Sequence, residues 1–355
     1  MTHIADHPPG PVVLFGSGET SASGSKILQA LVPRLERPLR LAVLETPAGF
    51  ELNSAQVAGR VADFLRDKLQ NEKPEVTIVP ARKRGTAFSP DDPEIAAPLR
   101  NASLVFMGAG SPTYAVRQLK GSVAWHTLEA AHRFGTAAVF ASAATLAVSA
   151  YTIPVYEIYK AGEDPYWHAG LNFFLPFGLN LIFVPHWNNS EGGAELDTSR
   201  CFMGRERFAE LLRQLPGGHT VVGIDEHTAV VMDFATGECE VMGVGGVTVL
   251  RNGDERRWAS RERLALTELG DYRPPLRNAD ILPEAWEAVQ ASRQMAPERA
   301  GPPEAVLALV AERQSARADK DWPRADALRR QLAALGWQVK DTPQGPMLEK
   351  MESRK

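Results

Sequence analysis

The feature that most constrains this chain is an alternation between short, almost uninterrupted apolar runs and longer segments with helical spacing. The runs fall at residues 12–15, 41–44, 76–79, 103–107, 137–140, 181–184 and 221–224, and the spacing predicts helices over 26–35, 53–69, 114–119 and 124–134. An apolar run without polar alternation reads as a strand covered on both faces. Strands of that kind, alternating with helices, predict an α/β fold with a doubly wound, mostly parallel sheet. After residue 224 the pattern changes to apolar runs at 229–233, 240–242 and 247–251, punctuated by Gly237, Gly243-Val244-Gly245-Gly246 and Asn252-Gly253. These turn signals predict antiparallel strands that finish the sheet.

With 355 residues, the chain has length for about two domains. The α/β body is expected over 1–270 and a linker over 271–302, where Pro274, Pro275, Pro283, Pro297 and Pro302 surround one short helical stretch. A small helical hairpin module is expected over 303–355. There, Val306, Leu307, Leu309 and Val310 predict one helix, and Ala325, Leu328, Leu332 and Leu335 a second, with Asp321 as N-cap, Pro323 in the first turn and Gly336 at the stop.

Charge excludes some functions. With 39 basic against 43 acidic residues and a net charge of -4, neither nucleic acid nor an anionic membrane is gripped by overall charge. Two uncharged stretches, 136–156 and 167–190, are interrupted by Ser142, Thr145 and Pro154 and by Asn172, Pro176 and Pro185, so both are expected in a core and not in a bilayer. The first ten residues hold no basic cluster followed by a long apolar run, and Cys201 and Cys239 make no disulfide framework. A cytoplasmic protein is expected. No His or Cys pair has metal-ligand spacing, and the Gly16-Ser17-Gly18 loop lacks the Lys-Ser/Thr ending of a phosphate loop, so neither metal nor cofactor is expected.

Chemistry concentrates in a few segments. In 137–146 an apolar strand runs into Ala141-Ser142-Ala143-Ala144 and then a helix, the outline of a turn that exposes Ser142 at a strand end. A base for that hydroxyl is expected from His186, just after the 181–184 strand, with His168, His219 and His227 as weaker competitors. Glu157 is the expected orienting acid because it lies between Ser142 and His186 in the chain; Asp225 and Glu226, at another strand end, remain alternatives. The loop Gly108-Ala109-Gly110-Ser111 opens a helix, and its N–H groups suit a carboxylate or a developing oxyanion.

Taken in order, these segments resemble the cyanophycinase and dipeptidase E group of serine peptidases, which has a class I glutamine amidotransferase-like, flavodoxin-like fold. The likeness covers roughly residues 12–250. It rests on Gly108-Ala109-Gly110-Ser111, Ala141-Ser142-Ala143-Ala144, Pro185-His186-Trp187 with Asn189, and Ile224-Asp225-Glu226-His227-Thr228-Ala229. The resemblance implies Ser142 as nucleophile, His186 as general base, Glu157 as orienter, and the Gly110 and Ala143 N–H groups as oxyanion hole. Toward substrate it implies Ser111, Asn189, Arg200, Arg205 and Arg207. The chain departs from the family at the elbow, with Phe140 and Ala144 where glycines are usual.

The expected activity is serine hydrolysis of a peptide or isopeptide bond next to an acidic residue, through an acyl-enzyme. Residues 318–329 and 336–345 look like the C-terminal helical module of cysteinyl-tRNA synthetases, while nothing in the body resembles that enzyme's nucleotide-binding segments. Residues 304–355 hold ten basic and eight acidic residues, a weak surplus for phosphate binding. The expected partner is a peptide or small carboxylate, with no membrane. The alternative reading is a catalytically silent amidotransferase-like binding or adaptor protein, associated with tRNA through this module.

Overall fold

Val12, Val13, Leu14 and Phe15 are all essentially inaccessible to solvent, although alternate side chains along a strand point to opposite faces. Such a strand must be covered on both sides. The computed structural model, which describes residues 8–275, 278, 280–295, 304–342 and 345–350, meets that requirement with helices on both faces of one sheet. Strands β1 (Val12–Phe15), β2 (Arg40–Leu44), β3 (Glu75–Val79), β4 (Leu104–Met107) and β5 (Ala137–Ala141) pair in parallel in the order β1-β5-β4-β2-β3. Helices α1 (Ala22–Leu31) and α2 (Ser54–Lys68) cover the face carrying Val13, Phe15, Val43 and Phe106. On the other face, α4 (Pro112–Leu119) and α5 (Val123–Arg133), preceded by the short α3 (Pro93–Ala96), pack on Leu14, Leu44, Met107 and Phe140. The expected doubly wound arrangement is present.

Beyond β5 the chain runs through α6 (Ala143–Ala147), a small pair formed by β6 (Tyr151–Thr152) and β7 (His168–Ala169), then β8 (Leu181–Val184), α7 (Gly204–Gln214) and β9 (Thr220–Ile224). Strands β10 (Thr228–Asp233), β11 (Glu238–Gly243), β12 (Gly246–Arg251), β13 (Asp254–Ala259) and β14 (Arg263–Ala265) follow. They do not all finish the main sheet. β10 pairs antiparallel with β1 and takes the edge that a further parallel strand would occupy, with β11 and β14 outside it. β8 and β9 therefore join β12 and β13 in a separate sheet of order β13-β12-β9-β8. The uncharged stretches 136–156 and 167–190 supply β5, α6 and β8 to these cores, and among the described residues no helix is long and apolar enough to cross a membrane.

The chain divides into two compact units, Met1–Arg293 and Gln294–Lys355. Most of α8 (Pro283–Met295), within the expected linker, belongs to the first. Ile281, Ala285 and Val289 bury against Ala130, Ala131 and Phe134 of α5, and Arg293 donates to Thr136 Oγ1 at 2.6 Å and to the Ala102 carbonyl at 3.2 Å. Pro297, Pro302 and Pro303 lie outside the described residues.

In the second unit α9 (Glu304–Ala318) and α10 (Trp322–Ala334) form the expected pair, with Asp321 Oδ1 accepting from Arg324 N and Gly336 at a φ of 81°. A two-stranded antiparallel hairpin, β15 (Trp337–Thr342) with β16 (Gly345–Lys350), completes it and was not expected. Val339 of β15 packs on Val306, Val310 and Leu332, and buried Arg313 donates two hydrogen bonds to the Asp341 carboxylate, at 2.9 and 2.8 Å.

Candidate active site

The parallel strands deliver their chain ends to one edge of the sheet, where open α/β folds place their sites. At the end of β5, Ser142 takes φ 52° and ψ −111°, a backbone conformation that costs an L residue energy. The small neighbours make this turn achievable. Ala143 and Ala144 are buried with no side chain beyond a methyl, and Ala144 N reaches the Gly108 carbonyl at 3.3 Å. Phe140, which stands where the resembling family has glycine, points back into the core and leaves the turn free.

His186 follows β8 and also has a positive φ, 51°. Its position is fixed from several sides: its N–H donates to the Gly16 carbonyl at 3.1 Å, and its carbonyl accepts from Asn189 N and Cys201 N. Next to it, Trp187 packs flat on β9, where a Cβ on Gly223 would sit 2.2 Å from the indole. As a result His186 Nε2 lies 3.1 Å from Ser142 Oγ.

The acid at the other imidazole nitrogen is Glu226, not Glu157. Glu226 Oε1 lies 2.9 Å from His186 Nδ1 and accepts from Asn189 Nδ2 at 2.9 Å, while its own N–H donates to Asn188 Oδ1. Sheet register explains the pairing. β8 and β9 are parallel neighbours with Val184 opposite Gly223, so residues just past each strand end stand side by side. Burial is the largest influence on the Glu226 carboxyl and would raise its pKa, but the hydrogen bonds from His186 and Asn189, with the charges of His186 and His227, together hold it below the ordinary value. Asp225 faces elsewhere: its buried carboxylate accepts from Gly246 N and from Arg257.

Glu157 sits in a single π turn, Tyr156–Lys160, and accepts from Thr113 Oγ1 at 2.6 Å. Thr113 Oγ1 in turn contacts Ser111 Oγ, which caps α4 through Tyr114 N. Glu157 thus ties the π turn to the start of α4.

A cleft of 290 Å³ opens beside Ser142, lined by Gly110, Ala143, His186, Tyr156, Tyr159, Lys160, Cys201 and Phe202 among others. Gly110, at φ 144°, has no room for a side chain because a Cβ would fall 2.0 Å from the Pro47 carbonyl oxygen. Among the described residues neither Gly110 N–H nor Ala143 N–H donates to a protein acceptor, and both residues line the cleft.

The residues expected to face substrate are elsewhere. Ser111 is buried as a helix cap, and Asn189 is used on Glu226. The Arg200 guanidinium lies 3.8 Å over the Trp187 ring, and Arg205 and Arg207 are exposed on α7. The cation that does line the cleft is Lys160, and the acid is Glu191. The sequence reading did not single out Tyr156, Tyr159 and Lys160, although their i, i+3, i+4 spacing places them on one face of a helical turn, and all three line the cleft. The Cys201 thiol is pushed up to about 12 by burial and then by the charge of Glu226, which keeps it protonated beside Ser142. Of the other histidines, His227 is exposed next to Gly18, His168 and His219 bond to local carbonyls, and His3 and His7 lie outside the described residues. Among the described residues no group of His, Cys, Asp and Glu has the arrangement of a metal site.

The chain is similar in fold to the crystal structure of a peptidase from an acI-B1 Actinobacterium, with a TM-score of 0.59 and 21% identity, covering 74% of this chain and 100% of that one. A putative Peptidase E protein from Listeria monocytogenes EGD-e aligns at a TM-score of 0.42 with 13% identity, over 71% of this chain and 98% of its own. Residues 299–345 match the cysteinyl-tRNA ligase anticodon binding domain. Over 56 residues the chain is 50% identical to cysteine--tRNA ligase 1 of Burkholderia lata, a stretch amounting to 16% of this chain. The chain spans only 12% of the length of that relative. An α/β fold similar to that of the Actinobacterium protein is followed in the chain by a segment similar to one small domain of a tRNA ligase.

Proposed function

We propose that the first unit is a serine hydrolase that cleaves a peptide or isopeptide bond through an acyl-enzyme. The observation that carries this reading is the hydrogen-bonded series Ser142 Oγ, His186 Nε2, His186 Nδ1 and Glu226 Oε1, at 3.1 and 2.9 Å, with Ser142 on a strained strand end. Ser142 Oγ attacks the scissile carbonyl as His186 Nε2 takes its proton, while Glu226 holds the Nδ1–H and balances the imidazolium. The Gly110 and Ala143 N–H groups donate to the oxyanion. His186 then returns the proton to the leaving amine, and water, deprotonated by the same nitrogen, releases the acyl group. Lys160 on the cleft wall supports a preference for an acidic side chain on the substrate.

The test is labelling of the purified protein with a small fluorophosphonate, with the adduct located by mass spectrometry and Ser142→Ala as control. Adduct on Ser142 is expected. A folded protein that takes up no probe would overturn the reading.

The match of residues 299–345 favours a second activity, RNA association by the C-terminal unit. Exposed Arg324, Arg329 and Arg330 on α10 lie close to the exposed Trp322 in the chain. Gel-shift titration of the full chain with tRNA is expected to give binding that weakens steeply with salt, and more weakly still for Arg329→Glu/Arg330→Glu. Equal shifts for both proteins would remove this reading.

A further inference from the structure

Three successive residues beside the cleft, Arg200, Cys201 and Phe202, have φ of 57°, 59° and 67°. The left-handed region is unfavourable for each of them, and a run of three persists only where the surroundings over-determine it. Here they do. Arg200 N and Nη1 both donate to the Trp187 carbonyl at 3.0 Å, Cys201 N donates to the His186 carbonyl at 3.2 Å, and Phe202 N donates to the Thr198 carbonyl at 3.0 Å. Upstream, the Asp197 carboxylate accepts from Ser199 N and Arg205 N, closing the turn against the start of α7.

The turn sets the Phe202 ring against the site. Its centroid is 5.7 Å from that of His186 and 5.4 Å from that of Tyr159, and Lys160 Nζ lies 5.0 Å over the Tyr159 ring. One wall of the cleft therefore runs from the histidine through two aromatic rings to a cation. The carbonyls of His186 and Trp187 accept from the backbone of Cys201 and Arg200, so the backbone that carries Phe202 is tied to the histidine segment.

Resting on the hydrolase reading above, we infer that Phe202 is the specificity-determining residue of the cleft. It admits an acyl-side residue with a slender, unbranched side chain that passes the ring toward Lys160, and it turns away aromatic and β-branched ones. A purely structural role for the ring, holding His186 in place, would slow all substrates alike; a selecting wall changes their ratio.

The experiment measures kcat/KM of the full chain on aminoacyl p-nitroanilides of Asp, Glu, Leu, Val and Phe, for wild type, Phe202→Leu and Phe202→Ala. A ratio taken within one protein cancels its active fraction, so partial misfolding of a variant does not blur it. The Phe-to-Asp ratio is expected to rise at least about tenfold in Phe202→Ala, with Phe202→Leu between it and wild type. An active wild type whose ratio moves in neither variant would overturn the inference and leave the hydrolase reading standing. A wild type inert toward both the fluorophosphonate and every anilide would overturn the two together.

Discussion

Ser142 and His186 meet at 3.1 Å although their strands belong to different sheets, β5 to the eight-stranded sheet and β8 to the four-stranded one. Gly16, at the end of β1, stitches the sheets: its N–H donates to the Thr228 carbonyl at 2.9 Å and its carbonyl accepts from His186 N. It also has no space to spare, since a Cβ there would sit 2.1 Å from the Asp225 carbonyl oxygen.

Gly16→Ala must push β9 away from β1 and take His186 with it. The variant is expected to lose about 1–3 kcal/mol in urea denaturation, the usual cost of overpacking. Its fluorophosphonate labelling is expected to slow by more than its folded fraction accounts for. Labelling that simply tracks the folded fraction would mean that the stitch does not position the histidine.

Two acids compete for the orienting role on sequence grounds, and substitution separates them. Glu226→Gln removes the charge facing His186 Nδ1 and lets the ring take the wrong tautomer, with an expected loss in kcat on the order of 10³–10⁴. Glu157→Gln keeps a hydrogen-bond acceptor for Thr113, and its kcat is expected to stay within about tenfold of wild type. Steady-state kinetics on one anilide substrate checks both. The reverse ranking would return the role to Glu157.

That competition shows where the sequence stops being legible. Ser142 stands out because only small residues let a strand end turn so sharply, and His186 because it follows an apolar strand; each signal is local. The choice between Glu157 and Glu226 depends on which strands are neighbours: chain order, which puts Glu157 between the other two, points to Glu157, whereas the adjacency of β8 and β9 sets Glu226 at His186 Nδ1. The parallel strands and their helices are likewise written in local periodicity, whereas the departure of β8 and β9 into a second sheet is decided by β10 pairing with β1, a contact between residues more than two hundred positions apart. The β15–β16 hairpin went unseen because its residues fell inside a segment read through its likeness to a helical module, although Trp337 and Val339 alternate as a half-buried strand does.

The depressed carboxyl of Glu226 gives a signed pH prediction. Its folded value lies below the ordinary 4.5, so the stability it contributes is fully present above 4.5 and is lost as pH falls through the lower folded value. The difference in unfolding free energy between wild type and Glu226→Gln is therefore expected to shrink as pH falls below about 4.5. Urea titrations at a series of pH values measure it. A difference that stays flat down to the acid limit would show that the carboxylate gains nothing from His186 and Asn189 in the folded state.

The strain at Ser142 should be visible in stability as well as in chemistry. At φ 52° and ψ −111° any residue with a Cβ is unfavourable, and glycine is not. Ser142→Ala keeps the Cβ and so keeps the strain, while removing a partly exposed hydroxyl whose partner, His186, can turn to water. Its stability should differ from wild type by no more than about 0.5 kcal/mol. Ser142→Gly releases the strain and is expected to be more stable than Ser142→Ala by about 1 kcal/mol, the greater entropy of glycine in the unfolded chain offsetting part of a larger gain. Both variants should take up no fluorophosphonate. Paired denaturation curves read the comparison directly: a glycine variant less stable than the alanine one would mean that the turn is not strained, and the stability given up at this position would then need no catalytic explanation.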